Sequence, residues 1–178
     1  MALILCSCND KIDREALVTR NNPHVTEIDA LKSLSVGNGR FAFTADATGL
    51  QTFPELYRLG VPLGTQSQWG WHSFANPENL KFEETLKSYD FGRGHEELYA
   101  CQLREGRGQM ASDWYRVNPH RLHLGCIGFD GLDASSIKDI DQTLDMWNGV
   151  LNSKFNANGT AYEVQTSCDP DSDLVAVK

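Results

Sequence analysis

The stretch SQWGWHSFANP, Ser67 to Pro77, holds two tryptophans, a histidine and a phenylalanine. It has neither a helical nor a strand period, and Gly64 and Pro77 flank it. Trp69 and Trp71 stand two apart, so in an extended segment their rings point to the same side. Gly70 between them lets another chain or a ligand come close to the backbone. Indole faces stack on the C–H edges of pyranose rings, and Gln68 and His72 are placed to hydrogen-bond hydroxyls. Apolar ring contact with a few placed polar groups is the usual way to hold a neutral sugar. The alternative is that the same rings fill a core beneath a loop.

Other chemistries find less support. His120 and His123 are three apart, but Pro119 and the alternation after it predict a strand, which turns them to opposite faces and argues against a metal pair. His95-Glu96-Glu97 lies in a Gly-rich stretch and reads as a solvated face. Asp113 beside Trp114 is the nearest approach to a carboxyl in an aromatic setting, and it reads as a turn or surface residue. Neither a GxSxG elbow nor an HExxH pair is present. Gly37-Asn38-Gly39-Arg40 lacks the spacing of a phosphate cradle and reads as a turn. Cys101, Cys126 and Cys168 have no CxxC spacing and nothing nearby to activate a thiol. No cofactor, metal site or catalytic residue is implied.

The formal net charge of −8 excludes the basic footprint that a nucleic-acid partner requires. An acidic surface also repels anionic membranes and polyanions, whereas uncharged oligosaccharides or polysaccharides remain permitted. The chain begins MALILCSCNDK, in which Leu5-Cys6-Ser7-Cys8 resembles a lipobox. Residues 1–8 read as the remnant of a lipoprotein signal peptide, with Cys8 the lipidated residue. That implies a cell-envelope location, the membrane being met only through the lipid anchor.

The elements that must position the aromatic stretch read as β. Residues 9–30 are a polar, extended lead-in, because Pro23 disfavours a helix there. Over 31–178 the pattern is short strands. Leu34 and Val36 precede Gly37-Asn38-Gly39, and Phe41, Phe43 and Ala45 share one face, which is a hairpin. Pro54–Gly60 is a helical turn or an irregular crossing, and Leu80–Leu86 is ambiguous between strand and short helix. Gly92, Gly94, Gly106 and Gly108 predict turns and short strands through the middle. Leu122, Leu124 and Cys126 predict a strand. The last third, with turns at Asn148-Gly149 and Asn158-Gly159, predicts an antiparallel meander. No long amphipathic helix is expected. The class is all-β, an antiparallel β-sandwich. Leu174–Lys178 reads as a strand with no cap, so the sandwich is expected to be incomplete at its C-terminal end.

The strings LSVGNGRFAFTADATGLQTFPE, TQSQWGWHSFANP, NPHRLHLGCIGF and LDMWNGVLNSKF together resemble the N-terminal β-super-sandwich of six-hairpin glycoside hydrolases, the maltose-phosphorylase-like group. The resemblance covers roughly residues 12–178. It implies a sandwich that supports an (α/α)6 barrel, which carries the catalytic carboxylates and lies outside this chain. The sandwich alone would then be inactive. The Trp69-Gly70-Trp71-His72 stretch resembles a loop that leans over the sugar site of the barrel. Cys168 stands where a T-x-x-H-P pattern would place a histidine, and no role carries over to it. The rival expectation is a freestanding surface lipoprotein that binds carbohydrate.

Overall fold

The computed structural model describes residues 11–178; the lipidation candidate Cys8 lies outside them. The fold is all-β and sandwich-like, with ten strands among the described residues arranged in antiparallel sheets. The described chain forms two compact units. One comprises the residues up to Thr65 together with Gly125–Lys178; the other is Gln66–Leu124.

The first unit begins with α1 (Arg14–Thr19), capped by Asp13, whose carboxylate accepts from the Ala16 N–H at 2.9 Å. This helical turn falls in the lead-in expected to be extended. Pro23 does exclude helix around it, and β1 (His24–Val25) follows directly. Next come β2 (Leu34–Gly37) and β3 (Phe41–Ala45), in register from Leu34 opposite Ala45 to Gly37 opposite Ala42. The turn forms because Gly39 takes φ +86° while the Asn38 side chain accepts from the N–H groups of Arg40 and Phe41. The short helix α2 (Pro54–Tyr57) starts on a proline that needs no N–H partner. The strand β4 (Gly64–Ser67) completes the sheet β2-β3-β4 and carries the chain out of this unit.

After the chain returns, the meander follows as read: β7 (Ile137–Asp145), β8 (Val150–Ala157), β9 (Thr160–Cys168) and β10 (Val175–Val177). With β1 they make a five-stranded sheet of order β1-β7-β8-β9-β10. Period-two patterning fixes which side is buried. Leu151, Ser153, Phe155 and Ala157 turn inward along β8, and Lys154 and Asn156 turn outward. Their partners across the core are Val36, Phe41, Phe43 and Ala45. Full burial of a side chain such as Phe43 or Leu151 contributes about 1.5–3 kcal/mol.

One end of this core is polar. Asp46, Thr48, Gln142, Ser153 and Thr166 are all buried. The Gln142 amide donates to the Asp46 carbonyl at 2.7 Å and to Ser153 Oγ at 2.9 Å, and Thr166 donates to the Gly49 carbonyl at 2.7 Å. The loop after β3 is thereby tied to the larger sheet. Gly49 has no alternative there: its φ is +81°, and a Cβ would lie 2.7 Å from Ser153 Oγ.

The strand expected over Leu122–Cys126 does not form. It would span the point where the chain passes from Leu124 of one unit to Gly125 of the other. Beyond that point no strand partners the segment. Instead the Ile127 carbonyl accepts from Gln51 N, and the N–H groups of Ile127 and Phe129 reach the side-chain oxygens of Gln51 and Thr52. Side chains take the place of a ladder.

The second unit holds β5 (Leu86–Asp90) and β6 (Glu96–Ala100), a hairpin preceded by a 3-10 turn at Phe82–Thr85. It also holds a twelve-residue helix, α3 (Gly106–Val117), where turns and short strands were expected. The misleading residue is Gly108. It is small because of packing: a Cβ would meet Leu103 Cδ1 at 2.6 Å and the Glu84 carbonyl at 3.2 Å. Arg107 fixes the helix start, its guanidinium donating to the Glu84 carboxylate at 2.7 Å and to the carbonyls of Glu78 and Asn79. The helix stops where Pro119 forces Asn118 out of the α region.

Candidate functional site

The aromatic stretch belongs to the second unit, immediately after β4. Its placement follows from the end of α3. The Asn118 side chain donates to the Trp114 carbonyl at 2.8 Å and accepts from the Phe74 N–H at 2.7 Å. One residue thus closes the helix and grips the loop. Two residues on, His120 makes a two-bond antiparallel bridge: its carbonyl accepts from Trp71 N, and its N–H donates to the His72 carbonyl at 2.6 Å. Trp114 adds a third tie, its indole N–H donating to the Ala75 carbonyl at 3.1 Å.

Gly70 lies where this clamp is tightest. A Cβ there would come 2.8 Å from Pro119 Cβ and 3.2 Å from Pro119 Cγ. The neighbour that comes close to Gly70 is therefore the protein's own proline ring, which has few ways to yield. The Gly70→Ala variant is expected to push the loop off Asn118–His120. Its amide spectrum should lose the hydrogen-bonded positions of Trp71 and His120 while signals of the first unit stay in place. Unmoved Trp71 and His120 amides would show that the contact yields freely.

The clamp holds the backbone and leaves the indoles in solvent. Trp69 is 49% exposed and Trp71 62% exposed. Gln68 and His72 are exposed as well. The His72 ring packs edge-on to Phe74 at 5.0 Å and lies 5.3 Å from the His120 ring. The Phe74 and His120 rings are 5.7 Å apart, closing a three-ring cluster. All four residues singled out from the sequence thus lie on one short, backbone-clamped segment. His120 and Asn118, which hold it, were missed because their partners are remote in sequence.

The remaining candidates stay apart from this segment. Asp113 accepts from the Gln102 amide at 2.8 Å. His95 pairs with Glu97 at 3.1 Å on the exposed β5–β6 hairpin. Among the described residues Cys101, Cys126 and Cys168 form no disulfide, and burial pushes the Cys168 thiol up. Among the described residues no helix is long and apolar enough to cross a membrane, and no cluster of three or more metal-ligating side chains forms. Comparison of the chain with known families, curated proteins and solved structures returns no match.

Proposed function

We propose that this β-sandwich protein supplies a saccharide-contacting surface to a glycoside hydrolase. Trp69 and Trp71 stack on the uncharged pyranose faces of an oligosaccharide or polysaccharide, and Gln68 and His72 hydrogen-bond its hydroxyls. Hydrolysis belongs to an (α/α)6 barrel of the same full-length protein, and no catalytic residue is assigned to this chain. The lipid anchor at Cys8 and an envelope location are part of the same reading.

The observation that supports it most directly is the exposure of two tryptophans on a backbone held by the 118–120 segment. Large apolar rings left in water are costly unless something covers them. A clamped backbone at Trp71 and His72 leaves less chain entropy to lose on binding, which favours even weak stacking. The test is a fluorescence and calorimetric titration of the 178-residue chain with neutral gluco-, xylo- and manno-oligosaccharides. Saturable quenching of tryptophan emission by at least one series is expected, without release of new reducing ends. Silence across the panel would remove the binding assignment. Release of reducing ends would move catalysis onto this chain.

A further inference from the structure

A second feature of the clamp has no place in that reading. On the helix side of residues 118–120 lies a cleft of about 380 Å3, lined by Gln66, Tyr115, Arg116, Asn118, His120 and Arg121 among others. No carboxylate lines it, although the chain carries 24 acidic residues. Neither the Arg116 nor the Arg121 side chain has an ion pair or hydrogen bond among the described residues. Asp113, one turn back on α3, is engaged by Gln102 instead. Placing Arg116 in the last helical turn suits the helix dipole, but Arg121 lies beyond the helix and gains nothing from it. His120 Nδ1 is buried and has no hydrogen-bond partner. Tyr115 gives the cleft a fixed wall, since its ring is held edge-on by Trp114 at 4.9 Å and Phe82 at 5.7 Å.

We propose that this cleft binds an oxyanion group, a carboxylate or sulfate carried by an acidic saccharide, between the guanidinium groups of Arg116 and Arg121. Guanidinium forks match the geometry of such groups and bind them with charge-assisted hydrogen bonds. Asn118 and His120 line the wall shared with the loop clamp. The tryptophans recognise uncharged ring faces, whereas this cleft recognises charge. That a saccharide carries the oxyanion rests on the proposed function, whereas binding of the oxyanion itself does not require the indoles to bind sugar.

The test is a titration of the 15N-labelled chain with sodium sulfate, sodium glucuronate and glucose at constant ionic strength, read by NMR. Sulfate or glucuronate is expected to shift the Arg116 and Arg121 Nε–H signals and the amides of Asn118, His120 and Arg121 saturably; glucose is not. Response to glucuronate alone identifies a saccharide carboxylate, and response to sulfate alone a sulfate ester. The R116Q/R121Q variant is expected to weaken binding at least tenfold, with amide signals elsewhere unchanged. R116K/R121K keeps the charge without the fork and is expected to lose part of the affinity. R40Q, in the β2–β3 turn, is expected to lose none. Trp69→Ala should leave the cleft's response intact. Non-saturable shifts, equal shifts with glucose, or full affinity in R116Q/R121Q would overturn the proposal.

Discussion

Replacing both Trp69 and Trp71 with alanine is expected to abolish saccharide binding and leave the fold standing. The two halves of that expectation rest on different quantities. Contacts of truncated aromatic anchors are commonly worth 2 kcal/mol or more, and each 1.4 kcal/mol is tenfold in affinity. One substitution should therefore weaken binding by about thirtyfold, and the pair should take it below detection. Stability is touched far less, because the rings are 49% and 62% exposed in the free protein and little buried area is lost. The bonds that hold the loop are backbone bonds from Trp71 and His72 to His120 and survive truncation. Calorimetric titration beside a thermal melt separates the two effects. A melt that collapses in the double variant would mean the rings are structural, and the proposal would lose its main support. Trp114→Phe offers the opposite control. It removes the indole N–H bond to Ala75, so it should loosen the loop and weaken binding without touching the exposed rings.

The sandwich was legible because its signals are local. Asn158 and Gly159 adopt φ values of +52° and +80°, and Gly149 adopts +69°, as Asn-Gly bends between alternating segments require. Inward residues such as Leu151, Phe155 and Val164 recur at period two, so faces could be assigned before any pairing was known. The insertion of Gln66–Leu124 was not legible, because no shift in composition marks either end of it. The helix α3 hid behind Gly106 and Gly108, of which Gly108 answers to the Leu103 side chain and the Glu84 backbone, not to a turn. The exposure of the aromatic stretch could not be read from spacing either. It depends on the bridge between His72 and His120, and nothing local in the sequence announces that pairing.

Asp46→Ala is expected to destabilise the first unit by about 2–4 kcal/mol, as much as truncating a buried apolar side chain. The Asp46 carboxylate is fully buried. One oxygen accepts from the Thr48 N–H at 2.8 Å and hydroxyl at 2.6 Å, and the other from the Phe53 N–H at 2.8 Å. Alanine leaves two backbone donors without an acceptor, at about 1–3 kcal/mol each, offset in part by relief from burying a carboxyl. That segment matters to the site because Gln51 lies within it. Gln51 accepts from the Thr65 hydroxyl at 3.3 Å and binds the Ile127 backbone, joining the two places where the chain leaves and re-enters the unit. Asp46→Asn keeps the shape but sets its NH2 against the Phe53 N–H, so a smaller penalty of about 1–3 kcal/mol is expected. Its pH dependence has a definite sign. Burial pushes the Asp46 carboxyl up, against the bonds from Thr48 and Phe53 that lower it. The folded state therefore holds that proton more tightly, and the contribution is greatest below the ordinary value of 3.8 and is lost as pH rises through the raised one. Asparagine has no proton to lose, so the penalty of Asp46→Asn should shrink as pH climbs out of the acid range. Tyr57 offers an independent check: burial, then the Asp46 charge, pushes its phenol up to about 12. In Asp46→Asn the Tyr57 ultraviolet titration should shift downward. Urea unfolding at several pH values would contradict the account if the Asn penalty stayed flat, or if alanine cost less than about 0.5 kcal/mol, the level of an ordinary surface change.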